Sequence, residues 1–198
     1  ILDRLDGGLA APSANPHKRL SPTTADQVMA GLNGRIDAVL DGGPCSVGLE
    51  STIVDLTGDT PRIVRAGPIT RRELEQALGR RVEFPEQHDA AVPGNVAVHY
   101  QPHTPLHLFD TATLRTRLTR LPTSAGIALA HTSEDLPISA GILRALHLPA
   151  DKAGFARALY DVLHTLDQAG ASAIWLELPP THEDWRDVHD RLSRAATG

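Results

Sequence analysis

A chain of 198 residues that is 41% hydrophobic and 22% charged can bury one or two cores, and no apolar run approaches the roughly eighteen residues of a membrane span. The net charge of −5 divides as 10 Lys and Arg against 11 Asp and Glu over residues 1–84, and 9 against 13 over residues 85–198. That balance argues against a protein whose main task is to grip a nucleic-acid backbone, and it makes the N-terminal part the better anion site. The single cysteine, Cys45, leaves no intramolecular disulfide, reads as a small buried turn residue, and joins no Cys/His cluster of zinc-ligand spacing. No charged-then-apolar signal region stands at Ile1, so the expected setting is cytoplasmic, without a membrane partner.

Residues 11–15 place small and hydroxyl-bearing side chains where a strand is expected to end, so that Ser13 and Asn15 can approach a ligand closely. Pro22 with Thr23 or Thr24 opens a helix carrying Val28, Met29 and Leu32 at helical spacing and stopping near Asn33-Gly34. Ile36, Ala38 and Leu40 then alternate as a short strand leading into the Gly-rich turn at residues 41–52. Ser51 stands at the mouth of the next strand, residues 51–56, which Thr57-Gly58-Asp59 ends; Ile63 and Val64 continue the pattern. Thr70 with Glu73 three residues on is a capping box, opening a helix through Leu74, Ala77 and Leu78 to Gly79.

The stretch from Arg80 to Pro105 has no helical periodicity, holds Pro85, Pro93 and Pro102, and reads as an interdomain linker. Beyond it, short apolar strands at residues 106–109, 126–130 and 173–178 alternate with helices at residues 114–121, 153–169 and 182–195. Leu159, Val162, Leu163 and Leu166 read as helix core. This alternation predicts a mainly parallel α/β sheet, a small Rossmann-like layer structure, and no GxGxxG follows its first strand to support a dinucleotide site. The expected division is residues 1–80, a linker at 81–104, and an α/β domain at 105–198.

Taken singly, SxN and GGP occur in ordinary turns. In combination, APSANPHKRLSPTTADQV, GRIDAVLDGGPCSVGLESTIVDL, PRIVRAGPITRRELEQALG and PGNVAVHYQPHTPL follow the order and spacing of a known family. The chain resembles the L-threonylcarbamoyladenylate (threonylcarbamoyl-AMP) synthases, the YrdC-like family with an added C-terminal domain. The resemblance is strong from Leu9 to about Pro105 and continues by pattern beyond. It implies that residues 1–80 are the second half of a YrdC-like α/β catalytic domain, whose first half carries a basic KxR element. With Met29 as its one methionine, the chain is expected to be an N-terminally truncated piece, inactive by itself.

The chemistry that the resemblance implies is condensation of L-threonine, bicarbonate and ATP to threonylcarbamoyl-AMP and pyrophosphate, for the N6-threonylcarbamoyladenosine modification of tRNA. Mg²⁺ is expected with the ATP. The product would pass to a tRNA threonylcarbamoyl transferase, with contact to tRNA or double-stranded RNA as a further expected partnership. Such a reaction rests on positioning and charge stabilisation rather than on a side-chain nucleophile, so no catalytic residue is assigned and His17, His99 and His103 are not read as bases.

Residue by residue, Ser13 and Ser51 match threonine-side contacts of the family, and Asn15 matches a nucleotide contact. Arg65 matches an ATP-phosphate contact, its planar guanidinium suiting paired phosphate oxygens, with an ion pair to Asp55 or Glu50 as the structural alternative. Ser21 and Thr23 are further ATP-side candidates, although capping of the following helix explains them as well. Tyr100 is the aromatic that could cover a nucleotide or anchor the linker. The linker keeps Pro93-Gly94, His99-Tyr100 and Pro102 but departs from the usual family form at residues 95–98. The alternative function is a non-catalytic nucleotide- or double-stranded-RNA-binding module.

Overall fold

Two ways of burying apolar surface divide the chain, and the computed structural model describes them over residues 2–85, 92 and 99–196. The linker motif at residues 93–98 lies outside the described residues.

In the C-terminal part, strand β3 (Leu106–Phe109), helix α3 (Thr111–Thr119), β4 (Ile127–His131), β5 (Ile142–His147), α4 (Lys152–Asp167), β6 (Ala173–Glu177) and α5 (Arg186–Ala196) follow in order. All four strands are parallel, and the last inserts between the first two to give the order β3-β6-β4-β5. The period of two sends Ala128, Ala130, Ile174 and Leu176 to one face, where the cluster also holds Phe155, Leu159 and Leu163 of α4 and Val188 and Leu192 of α5. Leu129 and Trp175 face the other way, towards Leu114 and Leu118 of α3. The four leucine and valine positions expected as helix core on α4 are all buried.

Helices α3 and α4 begin on side-chain caps: Asp110 accepts from Thr113 N–H at 2.9 Å and Asp151 from Gly154 N–H at 2.8 Å. One element was absent from the sequence expectation, the edge strand β5. Its burial does not alternate, and Leu143 and Arg144 point to solvent as edge strands tolerate. The last helix is also shorter than its sequence pattern, since residues 183–185 form a single 3-10 turn before α5.

The N-terminal part is mostly irregular. Helix α1 (Ala25–Leu32) starts on Thr24, whose hydroxyl accepts from Gln27 N–H, so Thr24 rather than Thr23 is the cap. Strands β1 (Ile53–Asp55) and β2 (Arg62–Arg65) pair antiparallel, with Ile53 opposite Arg65. Helix α2 (Arg71–Leu78) carries the expected capping box, and Gly79 closes it at a φ of 64°. The expected strand at residues 36–40 does not form: Ile36 and Leu40 are exposed, and among the described residues no neighbouring strand offers them a ladder. Residues 11–15 likewise run without strand pairing.

Part of what the N-terminal part buries it buries against the C-terminal layer, while Ile63, Val64 and Val82 are buried outside that layer's two core clusters. Leu20, Leu49 and Tyr100 belong to the same core cluster as Phe155, Ala156, Leu159 and Tyr160 of α4. Gly48, at a φ of 89°, lies so close to this helix that an added Cβ would stand 2.4 Å from the Arg157 Cα.

Candidate functional site

A cavity of about 730 Å³ opens where residues 11–13 and 21–23, the Gly-rich turn, β1, β2 and the end of the linker meet. Among the expected site residues, Ser13, Ser21, Thr23, Ser51, Arg65 and Tyr100 line it, whereas Asn15 stands outside its lining. The Asn15 amide donates to the Pro16 and Arg19 carbonyls at 3.0 and 2.9 Å, closing the turn at residues 16–19, while its buried carbonyl oxygen has no hydrogen-bond partner among the described residues.

Ser51 and Arg65 meet because the β1–β2 register sets the end of β2 against the start of β1. The Arg65 guanidinium donates to the Ser51 carbonyl at 3.0 Å and to the Ser51 hydroxyl at 3.1 Å. Burial and the nearby Arg191 charge depress the Arg65 pKa, opposed by Tyr100 and Glu50. Of the expected structural partners, Asp55 is held by Arg62 at 2.8 Å and Glu50 by Arg191 at 2.8 Å. The backbone under Ser51 is fixed from below. An added Cβ at Gly67 would stand 2.2 Å from Thr52 N, and the Thr52 hydroxyl donates to Ile69 O at 2.7 Å.

The other candidates have partners within the fold. Ser21 donates to Glu50 at 2.6 Å. The Thr23 hydroxyl donates at 3.1 Å to Gln27, whose amide in turn reaches Asp161 of α4 at 2.8 Å. Tyr100 is buried at a φ of 61°, its ring stacked on Tyr160 with centroids 5.7 Å apart, so it lines the cavity from the core side. Gln101 N–H ties this strained turn to Lys18 O at 2.9 Å, and Lys18 itself has a φ of 67°. Cys45 is exposed at the cavity rim, a correction to the buried turn residue expected: its turn lies on the surface and is pinned by its N–H to Thr23 O at 2.9 Å. His103 is tied to Asp167 at 3.0 Å, and His99 has its pKa lowered by burial, its buried Nδ1 having no hydrogen-bond partner among the described residues.

Sequence reasoning missed the charged centre of this wall. The Glu50 carboxylate accepts from Ser21, from Arg191 Nε at 2.8 Å and from the Tyr160 hydroxyl at 3.1 Å. Burial would raise its pKa, but the Arg191 guanidinium and the Ser21 hydrogen bond hold it below the ordinary carboxylate value. Burial beside that carboxylate pushes the Tyr160 hydroxyl well up, keeping it a neutral donor. With Glu50 neutralised by Arg191, the wall presents Arg65 to the cavity without an unpaired carboxylate beside it. Such a wall suits an anionic ligand that also offers groups to hydroxyls. Among the described residues no group of three or more His, Cys, Asp or Glu could hold a metal ion, and no helix is long and apolar enough to cross a membrane.

Two family models match this chain: one described as threonylcarbamoyl-AMP synthase, C-terminal domain, over residues 69–197, and one described as telomere recombination, over residues 1–67. The threonylcarbamoyl-AMP synthase of Bacillus subtilis is 31% identical over 198 residues, covering 96% of this chain and 57% of the relative. That of Schizosaccharomyces pombe is 28% identical over 216 residues, covering 97% and 53%. A solved structure described as P. abyssi Sua5 complexed with L-threonine superposes with a TM-score of 0.77 at 25% identity, over 93% of this chain and 56% of that one. The chain thus spans little more than half the length of the relatives it matches.

Proposed function

The chain belongs to the threonylcarbamoyl-AMP synthase family, and on that premise we propose that it builds one wall of a site condensing L-threonine, bicarbonate and ATP to threonylcarbamoyl-AMP, with release of pyrophosphate. The observation that carries the proposal is the Ser51–Arg65 pair on the cavity wall, where a hydroxyl and a guanidinium lie 3.1 Å apart on a braced backbone. Ser51 and Ser13 would take threonine. Arg65 would take phosphate oxygens, exchanging its bonds to Ser51 for stronger charge-assisted ones. Ser21, Thr23, Asn15 and Tyr100 would act on the nucleotide side, the first three chiefly by shaping the turns and Tyr100 by closing the apolar side of the cavity. Holding the carbamate of threonine in line with the α-phosphate needs positioning and positive potential rather than a nucleophile, which is what this wall provides. Mg²⁺ would arrive on the ATP. Residues 1–80, 81–104 and 105–198 remain the proposed division into catalytic part, linker and α/β domain, and the product would go to a tRNA threonylcarbamoyl transferase.

The test is a pyrophosphate-release assay on the longest natural form of the protein. Release is expected only when threonine and bicarbonate are both present. Ser51→Ala is expected to weaken apparent threonine affinity by roughly 1 to 2 kcal/mol, the scale of one lost hydrogen bond. Release that is indifferent to threonine would refute the reading.

A further inference from the structure

Arg191 lies on α5, far along the chain from the cavity, yet its side chain is fully buried and its donors end on the wall. Its Nε donates to Glu50 at 2.8 Å, one Nη donates to the Ala66 carbonyl at 2.9 Å, and the other is held by Asp190 at 2.8 Å. Glu50 immediately precedes Ser51, and Ala66 immediately follows Arg65. One rigid fork therefore ties down the Glu50 carboxylate and the Ala66 backbone carbonyl, which belong to the residues flanking the two wall residues. Tyr160 of α4 adds a second grip on Glu50 at 3.1 Å, and the Arg191 guanidinium sits 5.2 Å from the Tyr100 ring.

We infer that Arg191 is a positioning residue for this site: α5 of the C-terminal layer sets the spacing of Ser51 and Arg65 through Glu50 and the Ala66 carbonyl. Stability alone does not account for the arrangement, because a buried ion pair often contributes no more than well-packed apolar groups of the same volume. What it does supply is geometry, since a planar guanidinium can hold a carboxylate and a carbonyl at once in fixed directions. A lysine carries three donors on one flexible point charge and cannot hold the two in fixed directions. Ligand affinity on the wall is thereby coupled to an element that does not line the cavity.

The inference rests on the proposed reaction, and its test separates the two. In the full-length protein, Arg191→Lys is expected to raise the KM for threonine and for ATP together by about tenfold, the scale of one misplaced hydrogen bond at each ligand, with kcat within about twofold. A purely structural role would lower the melting temperature and leave both KM values of the folded enzyme unchanged, and that result would overturn the inference. Should Arg191→Lys fail to fold, Glu50→Gln keeps the shape of the carboxylate and the bond from Arg191 to Ala66. It should raise the KM for threonine several-fold while that for ATP moves little, and no change in either would overturn the inference. If the unmodified protein shows no threonine-dependent release, the reaction is wrong. Hydrogen exchange at the Arg65 Nε–H then tests the positioning by itself: about tenfold faster exchange in Arg191→Lys or Glu50→Gln supports it, and unchanged protection overturns it.

Discussion

The N-terminal and C-terminal parts of this molecule differ in where their rigidity comes from. The sheet β3-β6-β4-β5 has helices on both faces and two core clusters of its own. Residues 2–52, which carry Ser13, Ser21, Thr23 and Ser51, are mostly exposed, and Leu20 and Leu49, their buried apolar side chains, sit in the cluster centred on α4. The part that carries the candidate chemistry thus takes its shape from the part that does not. A site on irregular chain needs an external frame, because loops bury too little to fix their own geometry.

The largest effect should come from breaking that frame. Leu159 is fully buried in the shared cluster, so Leu159→Ala should cost about 2–5 kcal/mol by lost transfer energy and the cavity it leaves. Chemical denaturation followed by a probe in each part should show both transitions moving together. If only the C-terminal transition moved, the shared core would not be what orders the N-terminal part.

A smaller effect should stay inside the C-terminal layer. Glu177 at the end of β6 accepts from Thr132 and Ser133 N–H at 2.8 and 2.9 Å and from the Ser133 and Thr111 hydroxyls at 2.5 and 2.7 Å. Burial would raise its pKa, but these hydrogen bonds win and hold it at about 2. A carboxylate whose folded pKa lies below its unfolded value of about 4.3 adds stability that is fully present above that value and lost as pH falls towards 2. Glu177→Gln should therefore cost about 1–2 kcal/mol at neutral pH, where charged acceptors are replaced by a weaker one. It should also flatten the fall of stability between about pH 4.5 and 2. Parallel acid-unfolding curves for the two proteins would remove Glu177 as the cause.

How much of this could be read from sequence follows the same division. Where the chain makes its own periodic core, as on α4 with Leu159, Val162, Leu163 and Leu166, pattern and structure agree. Where local chemistry closes on itself, as in the Thr70–Glu73 box, they agree to the residue. Alternation misled at Ile36 to Leu40, because a period of two specifies a strand only when a neighbour supplies the ladder. It was silent at β5, an edge strand with Arg144 to solvent. The site was legible as hydroxyls and Arg65 in family order, but the joining of Glu50 to Tyr160 and Arg191 left no signal. They lie 110 and 141 residues apart along the chain, and a buried charge cluster has no periodicity to find.

The smallest effect sharpens the comparison most, because it asks whether an element of the N-terminal part can fail alone. Helix α2 has no buried residue, so little packing holds it. Its start depends on Thr70, whose hydroxyl accepts from Glu73 N–H at 3.3 Å and donates to the Glu73 carboxylate at 2.7 Å, while that carboxylate accepts from Thr70 N–H at 2.8 Å. The Arg71–Glu183 pair at 3.0 Å links the helix to the 3-10 turn before α5, but both side chains are 40% or more exposed, where such a pair contributes little. Thr70→Ala removes the reciprocal cap and should cost α2 about 1 kcal/mol. Since helix nucleation is the unfavourable step, that loss should appear as fraying: amide exchange across residues 71–78 about fivefold faster, with the melting temperature of the C-terminal sheet unchanged. Faster exchange that extends into α4 and α5 would mean that α2 is part of the shared frame, and the boundary between self-supporting and dependent regions would have to move N-terminal of it.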